Sequence, residues 1–221
     1  MKKLYILLFA ICAISLFNSC DTESEISFLE SAEDLGFTGS QEDIINFLSQ
    51  ETYNSLLELG IPINTGSNPP NVEGVFRMSP NVLENSNIVD ESFEIGHQFA
   101  DQILYFSNQD QEELSIDYSG RQVDGNNNVI NTETGLISYI SGNGNSFTVI
   151  IKIEATSTDS FGNQVITVQG IVISGTITAT GIQNARKAFV IIEKTGDVND
   201  EFIDEGEGRL LKDEDGFSNR E

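Results

Sequence analysis

Few side chains in this 221-residue sequence could carry out catalysis, and they are widely spaced. His97 is the only histidine, and no nucleophile-elbow pattern accompanies it, so a Ser-His-Asp arrangement is not predicted. Asp101, Asp117 and Glu154 lie in predicted strands, where two carboxylates that face one cavity could hydrolyse a glycoside. Asp117 and Glu154, however, alternate with apolar residues, which is typical of the water-facing side of a strand. The sequence therefore predicts no catalytic residue and a protein that is not an enzyme, with a carboxylate-dependent hydrolase of surface glycan or lipid as the alternative.

The sequence also lacks a convincing pattern for a metal or a cofactor. The two cysteines, Cys12 and Cys20, and the single histidine supply too few soft ligands for zinc. Residues 213–216 resemble the middle of an EF-hand calcium loop, but the register places Leu211 at the first ligand position and the bidentate glutamate beyond residue 221. Gly142-Asn143-Gly144 is predicted to be a turn because it lies between strands and not before a helix. No metal or cofactor site is predicted.

The chain is strongly acidic. Its 35 Asp and Glu residues outnumber 11 Lys and Arg residues, which gives a formal net charge of −24 at pH 7. Such a charge repels phosphate backbones, so nucleic acid is not a predicted partner. Apolar residues make up 38% of the sequence, below the ~45–50% of an average globular protein, yet ~200 residues suffice to bury one sizeable core. One domain with polar ends is expected.

The N-terminus has the pattern of an export signal. A basic start, Met1-Lys2-Lys3, precedes an apolar run from Leu4 to Phe17, which is shorter than the ~20 residues of a membrane span. Leu16-Phe17-Asn18-Ser19-Cys20 follows and resembles the lipobox of bacterial lipoproteins, in the looser form of the Bacteroidota. This resemblance implies a signal peptide over residues 1–19 and a lipid attached to Cys20. The alternatives are a plain secretory signal cleaved nearby and a buried apolar helix.

This resemblance also predicts a location: the bacterial outer membrane, with the protein lipid-anchored at the cell surface. After cleavage Cys20 would be the one remaining cysteine, so no intramolecular disulfide is expected. The acidic run Asp21–Glu25 is similar to signals that export Bacteroidota lipoproteins to the outer face of the outer membrane; a solvated tether is the alternative. The membrane is thus a predicted partner, through lipidated Cys20.

Composition and hydrophobic period divide the remaining chain into four segments. They are an acidic tether (20–39), a helical segment with a Pro-rich connector (40–70), a β-barrel domain (71–196) and an acidic C-terminal segment (197–221). Ser40 begins the helical segment in a capping-box-like pattern, and Gly60 ends it. Apolar residues between them recur at helical spacing. One helix is expected, or two short helices divided at Ser49 and Thr52.

From Val72 onward the hydrophobic period changes from that of a helix to that of a strand. Turn-forming clusters rich in Gly, Asn and Asp separate the alternating segments. The predicted strands cover residues 72–78, 99–106, 114–119, 129–140, 147–155, 165–173, 176–181 and 188–193. In the last of them apolar residues occupy both sides, which predicts burial on both faces.

The predicted fold is mainly β: an eight-stranded antiparallel meander that closes into a lipocalin-like barrel, with the N-terminal helical segment over one end or the wall. A two-sheet sandwich is the alternative, but it needs a long crossover, and residues 85–96 form the only long connection. In residues 197–221, ten acidic residues against three basic ones indicate a solvated tail, apart from a short strand at 206–211.

Three short patches are similar to patches in lipoproteins of the Bacteroidota: Asn68–Gly74, Ile140–Gly144 and Gly181–Asn184. This resemblance implies a surface location and a β-rich domain, and it transfers no activity. The predicted function is that of a noncatalytic, membrane-anchored lipoprotein whose barrel binds a small apolar ligand or an envelope partner. A barrel filled by its own side chains would exclude the ligand. A purely structural envelope component is a further alternative.

Overall fold

The computed structural model describes residues 36–221, which form two short helices and a 13-stranded sheet. The predicted signal peptide and the predicted lipidation site, Cys20, lie outside the described residues, as does the tether up to residue 35. Within residues 36–221, neither helix is long and apolar enough to cross a membrane.

The two helices are α1 (Gln41–Leu48) and α2 (Gln50–Leu59). Ser40 caps α1 in a capping box, since its hydroxyl accepts from the Asp43 amide while the Asp43 carboxylate accepts from the Ser40 amide. Ser49 takes a φ of +94°, which ends α1, and its hydroxyl caps α2 by accepting from the Thr52 amide at 3.2 Å. Gly60 ends α2 in the left-handed conformation. The predicted helical segment and its division at Ser49 are confirmed.

The strands are β1 (Ser67–Asn68), β2 (Gly74–Met78), β3 (Asn81–Ser86), β4 (Gln98–Phe99), β5 (Asp101–Asp110), β6 (Ser115–Val123), β7 (Val129–Thr134), β8 (Ile137–Asn143), β9 (Ser146–Thr158), β10 (Gln164–Ile177), β11 (Gly181–Thr195), β12 (Gly208–Asp213) and β13 (Phe217–Arg220).

Eight of these strands form a hydrogen-bonded ring in chain order. The ring runs β2-β5-β6-β8-β9-β10-β11-β13, and β13 pairs again with β2. All eight pairings are antiparallel. β12, β3 and β4 branch from β11, β7 pairs with β6, and β1 adds a short parallel pairing to β8. The predicted mainly β fold and a ring of eight antiparallel strands are confirmed, but the eighth strand of the ring, β13, lies outside the predicted barrel domain of residues 71–196.

The strands differ from the prediction in several places: β3 was not predicted, and two predicted segments are divided differently. Residues 129–140 form two strands, because at Gly135 the chain leaves β6 and Leu136 donates to the Lys152 carbonyl on β9. Residues 165–181 contain one long strand, β10, where two were predicted. Gly175 produces a bulge there and the pairing continues past it, so the glycine does not end the strand.

The short strand predicted at 206–211 is present as β12, whereas the prediction of a solvated tail is wrong for residues 212–220. β12 pairs with β11 and β3, and β13 pairs with β11 and β2, so the sheet extends beyond residue 196. The acidic residues Glu214 and Asp215, which suggested solvation, are exposed in the turn between these two strands. Leu210 and Leu211 alternate across β12 and are buried on opposite faces.

Two layers of apolar side chains hold the helices and the ring together. One layer fills part of the ring with inward side chains that include Phe76, Leu104 and Phe147. The other lies outside the ring, where Leu56 of α2 packs with Val190 of β11. The helices therefore cover the wall of the ring. Val190 and Ile191 are both buried, which confirms the burial predicted for both faces of this segment.

Candidate functional site

A cavity of about 350 Å³ lies at one end of the ring. Seven apolar and eight polar residues line it, among them Phe99, Gln122, Asn131, Gln169, Phe189 and Phe202. The cavity occurs at this end because inward positions that carry Ile or Phe deeper in the ring carry polar residues here. On β10, for example, Ile173 and Ile171 are followed toward this end by Gln169 and Thr167. A mixed lining suits a ligand that has both apolar surface and hydrogen-bonding groups.

A buried charge pair between Lys187 and Glu133 forms one side of the cavity. Lys187 is only 4% exposed and lies on the inward face of β11, between Ala185 and Phe189. Its ammonium donates to Glu133 Oε1 and also lies 3.4 Å from the side-chain oxygen of Gln102. Because burying an unpaired charge is costly, this pairing is what allows an ammonium inside the ring.

Three neighbouring donors converge on one oxygen of Glu133. Besides Lys187, the Tyr118 hydroxyl donates to Oε1 at 2.6 Å and the Gln102 amide at 2.9 Å. Gly120 makes room for this arrangement, since a Cβ there would lie 2.3 Å from Glu133 Oε1 and 2.5 Å from the Tyr118 hydroxyl. The site therefore depends on a glycine in β6 as well as on its polar side chains.

The electrostatics of this group keep Glu133 ionised. Burial by itself would raise the pKa of Glu133, but the positive charge of Lys187 and the three hydrogen bonds outweigh burial and lower it. Burial raises the pKa of Tyr118 well above its usual value, and the nearby Glu133 carboxylate raises it further. Tyr118 is therefore a neutral hydrogen-bond donor, and the Lys187–Glu133 pair carries no net charge.

A second charge pair stands at the edge of the cavity. Arg209 donates two hydrogen bonds to the Glu91 carboxylate, from Nε at 2.7 Å and from Nη2 at 3.0 Å. Its guanidinium also makes cation–π contacts with the rings of Phe93 and Phe99. The hydrogen bond from Arg209, followed by one from Ser86, outweighs burial and lowers the pKa of Glu91 to about 2. The charges of this pair also cancel, so neither pair gives the cavity a net charge.

The residues considered for catalysis do not meet in this cavity. His97 is exposed and lies in a cluster of rings, 4.3 Å from the Phe93 ring centre and 4.9 Å from that of Phe99. Asp101 pairs with Arg77 at 3.3 Å, Asp117 accepts from Asn108, and Glu154 is exposed. Among residues 36–221 no group of three or more His, Cys, Asp or Glu could hold a metal ion.

The sequence did not identify Lys187, Glu133, Gln102 or Tyr118 as site residues. One signal was present: Lys187 stands two residues before Phe189, on one side of a segment that is apolar on both faces. A lysine in such a strand is forced inward unless it lies at an edge. Glu133 carried no comparable signal, because its neighbours Thr132 and Thr134 are polar and its strand reads as fully exposed.

Comparison of the chain with protein-family models, with curated proteins and with solved structures returns no match. The geometry of the cavity is therefore the basis for the function proposed below.

Proposed function

We propose that the protein is a noncatalytic binding protein that takes one small, uncharged ligand into the cavity at the end of its ring. The observation that carries this proposal is the cavity itself, about 350 Å³ with a mixed apolar and polar lining. That volume lies at the lower end of the ~300–1,000 Å³ of small-molecule sites. The ring is thus only partly filled by its own side chains, which leaves the ligand version of the predicted function open.

The hydrogen-bonding groups of the cavity favour an uncharged ligand. Lys187 has three N–H donors, and Glu133 and Gln102 take two of them. The hydrogen bonds to Glu133 reach Oε1, and within the described chain no donor reaches Oε2. An anion would meet Glu133 and a cation would meet Lys187, whereas a neutral group with an acceptor beside a donor complements both. This changes the expected ligand from apolar to amphipathic.

We also propose that the eight-stranded ring is a lipocalin-like barrel. Its support is the chain order of the ring, in which each strand pairs with the next and the last pairs with the first. The packing of α1 and α2 on the outer wall agrees with this proposal.

The proposal includes attachment to the outer membrane, at the cell surface, through a lipid on Cys20. Its support is the sequence Leu16–Cys20, preceded by a basic start and a short apolar run. An anchored binding protein would hold its ligand, or present it to an envelope partner, at the membrane.

Ligand binding is tested by native against denaturing mass spectrometry of the full chain. We expect the native mass to exceed the polypeptide mass by a few hundred daltons, roughly what such a cavity holds. In Gln169→Phe the larger ring fills the cavity, so the extra mass should disappear. Gln164→Phe is the matched control, because Gln164 lies on the same strand but is exposed and does not line the cavity.

Two results would contradict the proposed binding function. One is a bare polypeptide mass in protein that has been exposed to a small-molecule extract of the producing cells. The other is turnover of chromogenic glycosides or esters that is lost in Glu133→Gln but kept in Lys187→Met, which breaks the same buried ion pair; that result would favour the carboxylate-dependent hydrolase.

The anchor has its own test. Cys20→Ser is expected to move the protein from the membrane fraction to the soluble fraction and to abolish labelling by a radioactive fatty acid. The same protein with Cys12→Ser should remain membrane-bound and labelled, because Cys12 lies inside the predicted signal peptide. Unchanged labelling in Cys20→Ser would exclude this residue as the attachment site.

A further inference from the structure

The segment between β11 and β12 lies over the cavity. Residues 197–205, here named the cover, contain no helix or strand, and two of them, Phe202 and Ile203, line the cavity. Both are half-buried, so they close part of the cavity without being locked into the apolar core. The cover therefore forms part of the wall of the cavity.

Several oxygens of the cover accept hydrogen bonds from one ammonium group, that of Lys194. Lys194, near the end of β11, donates to the Asp197 carboxylate at 2.9 Å, to the Phe202 carbonyl at 3.1 Å and to the Asp204 carboxylate at 2.6 Å. Asp200 lies 3.6 Å away. These oxygens all belong to the cover, and the Lys194 side chain is only 11% exposed. The Lys194 ammonium therefore binds oxygens at the beginning, the middle and the end of the cover.

The carboxylate of Asp197 extends this hold along the chain. It accepts from the amides of Glu201 and Phe202 while it binds Lys194. The hydrogen bond from Lys194, followed by the one from the Glu201 amide, outweighs burial and lowers the pKa of Asp197. The carboxylate is thus ionised throughout the neutral range, and its contact with Lys194 is charge-assisted.

A second attachment joins the cover to the turn between β9 and β10. The Asn199 amide donates to Asp159 at 2.9 Å, and the Ser160 amide donates to Glu201 at 2.8 Å. Hydrogen bonds from Asn163, together with that from Asn199, hold the pKa of Asp159 at about 2 against the effect of burial. The cover is therefore fastened on two sides by polar contacts.

Glycines flank the cover on both sides. Gly196 and Gly206 have φ angles of +89° and +81°, which other residues rarely adopt. The Gly206 amide also donates to the Ile191 carbonyl, which fixes the C-terminal end of the cover to β11. The cover has fixed ends, a conformationally special residue at each end and polar contacts between them, which is the construction of a lid.

We propose that the cover is a lid that admits ligand to the cavity and that Lys194 is its latch. This inference rests on the proposed binding function for its biological meaning, but the movement of the lid does not require a ligand to be known. Without the ammonium, the carboxylates of Asp197 and Asp204 and the Phe202 carbonyl face one another with no cation between them, so the open state gains population.

The lid is tested by the rate at which a cavity residue reacts with a neutral maleimide. Thr167 is buried and lines the cavity, so Thr167→Cys places a thiol there. The parent is the full chain with this change and with both native cysteines, Cys12 and Cys20, replaced by Ser, so that only the cavity thiol reacts. Adding Lys194→Met should raise the labelling rate about tenfold, because reaction requires opening of the lid. Asn199→Asp should act in the same direction, since it sets a second carboxylate against Asp159 while Lys194 is kept.

Lys212→Met is the matched control, because Lys212 is on β12, outside the cover, and lies 3.9 Å from Glu84. Its labelling rate should equal that of the parent. The proposal would be overturned if Lys194→Met and Asn199→Asp were labelled at the same rate as the parent. It would also be overturned if Lys212→Met accelerated labelling as much as Lys194→Met does. If labelling accelerates as expected while native mass spectrometry shows no ligand, the lid stands and the binding function fails. If native mass spectrometry shows a bound ligand while the labelling rates stay unchanged, the binding function stands and the lid fails.

Discussion

Removal of residues 217–221 lowers the free energy of unfolding by about 4 kcal/mol or more, and at 37 °C the truncated chain is largely unfolded: this is the largest effect we expect. The deleted residues contain β13, which pairs with β11 on one side and β2 on the other. Without it the ring has two unpaired edges. Ile182 and Phe76, both fully buried in the intact protein, then border an open gap.

A buried acid adds to this cost. Asp213 is nearly fully buried, and burial raises its pKa to about 6 even though Ser218 and the Ser79 amide donate hydrogen bonds to it. Truncation removes the Ser218 hydroxyl and leaves one of these two donors. A buried carboxylate that loses a hydrogen bond destabilises the fold by about 1–3 kcal/mol.

Urea unfolding, followed by circular dichroism, measures the effect on the full chain and on the truncated one. Deletion of Glu221 alone is the control, since it removes the ion pair with Arg77 and one backbone hydrogen bond to Val75 but keeps β13. That exposed pair should contribute less than about 1 kcal/mol. An unchanged midpoint after removal of residues 217–221 would show that these residues are the solvated tail that composition suggested.

The second large effect concerns the charge pair inside the ring. Glu133→Gln is expected to destabilise the protein by about 3–5 kcal/mol, because the ammonium of Lys187 stays buried with neutral partners only. Lys187→Met should cost about 2–4 kcal/mol, somewhat less, since the hydroxyl of Tyr118 and the amide of Gln102 still donate to the remaining carboxylate.

The double variant Lys187→Met/Glu133→Gln separates a buried charge effect from a packing effect. With both charges removed, we expect most of the lost stability to return, with a coupling energy of about 2–3 kcal/mol between the two sites. Urea unfolding of the four proteins completes the cycle. Additive losses would mean that the two side chains act independently, and the assignment of a coupled pair would then be wrong.

A neighbouring pair provides a matched control. Arg186 directly precedes Lys187 on β11 but faces outward. There its guanidinium donates two hydrogen bonds, from Nε and Nη2, to the partly exposed carboxylate of Glu84. The cycle Arg186→Met/Glu84→Gln should give less than about 1 kcal/mol. The comparison isolates burial, because the two pairs differ in which face of the same strand they occupy.

The stabilisation by Glu133 should also depend on pH. Its pKa in the folded protein is below the usual 4.5. A carboxyl whose pKa is lowered by folding stabilises the fold above its unfolded pKa and loses that contribution as the pH falls through the folded value. The difference in unfolding free energy between the parent and Glu133→Gln should therefore be constant near neutrality and should shrink below about pH 4.5.

The predictable parts of this fold are those with a strong local signal. The helix start at Ser40, the stop at Gly60 and the alternation in 147–155 depend on neighbouring residues, so the sequence alone reveals them. β12 was predicted only as a short strand and β13 was missed, because the acidic turn between them dominates the local composition while their stability comes from strands far away in the chain. Tertiary pairing there outweighs local composition.

The cavity was beyond prediction for a related reason. Its central contact joins Glu133 to Lys187, which are distant in sequence and lie on two strands that do not pair, β7 outside the ring and β11 within it. No local period records such a contact. The carboxylates that the sequence did single out, Asp101, Asp117 and Glu154, stand out only because they interrupt apolar alternation, and that alternation places Asp117 and Glu154 in water.

The closing of the ring has a consequence for how the protein is made. β2 and β13 meet although Arg77 and its partner Asn219 are separated by most of the described chain. A polypeptide that emerges from a ribosome or a membrane channel with its N-terminus first cannot complete this sheet until residues 217–220 have followed. Up to that moment β2 and β11 have open edges, which leaves them vulnerable to pairing with other chains. Closure of the ring therefore has to wait for residues 217–220.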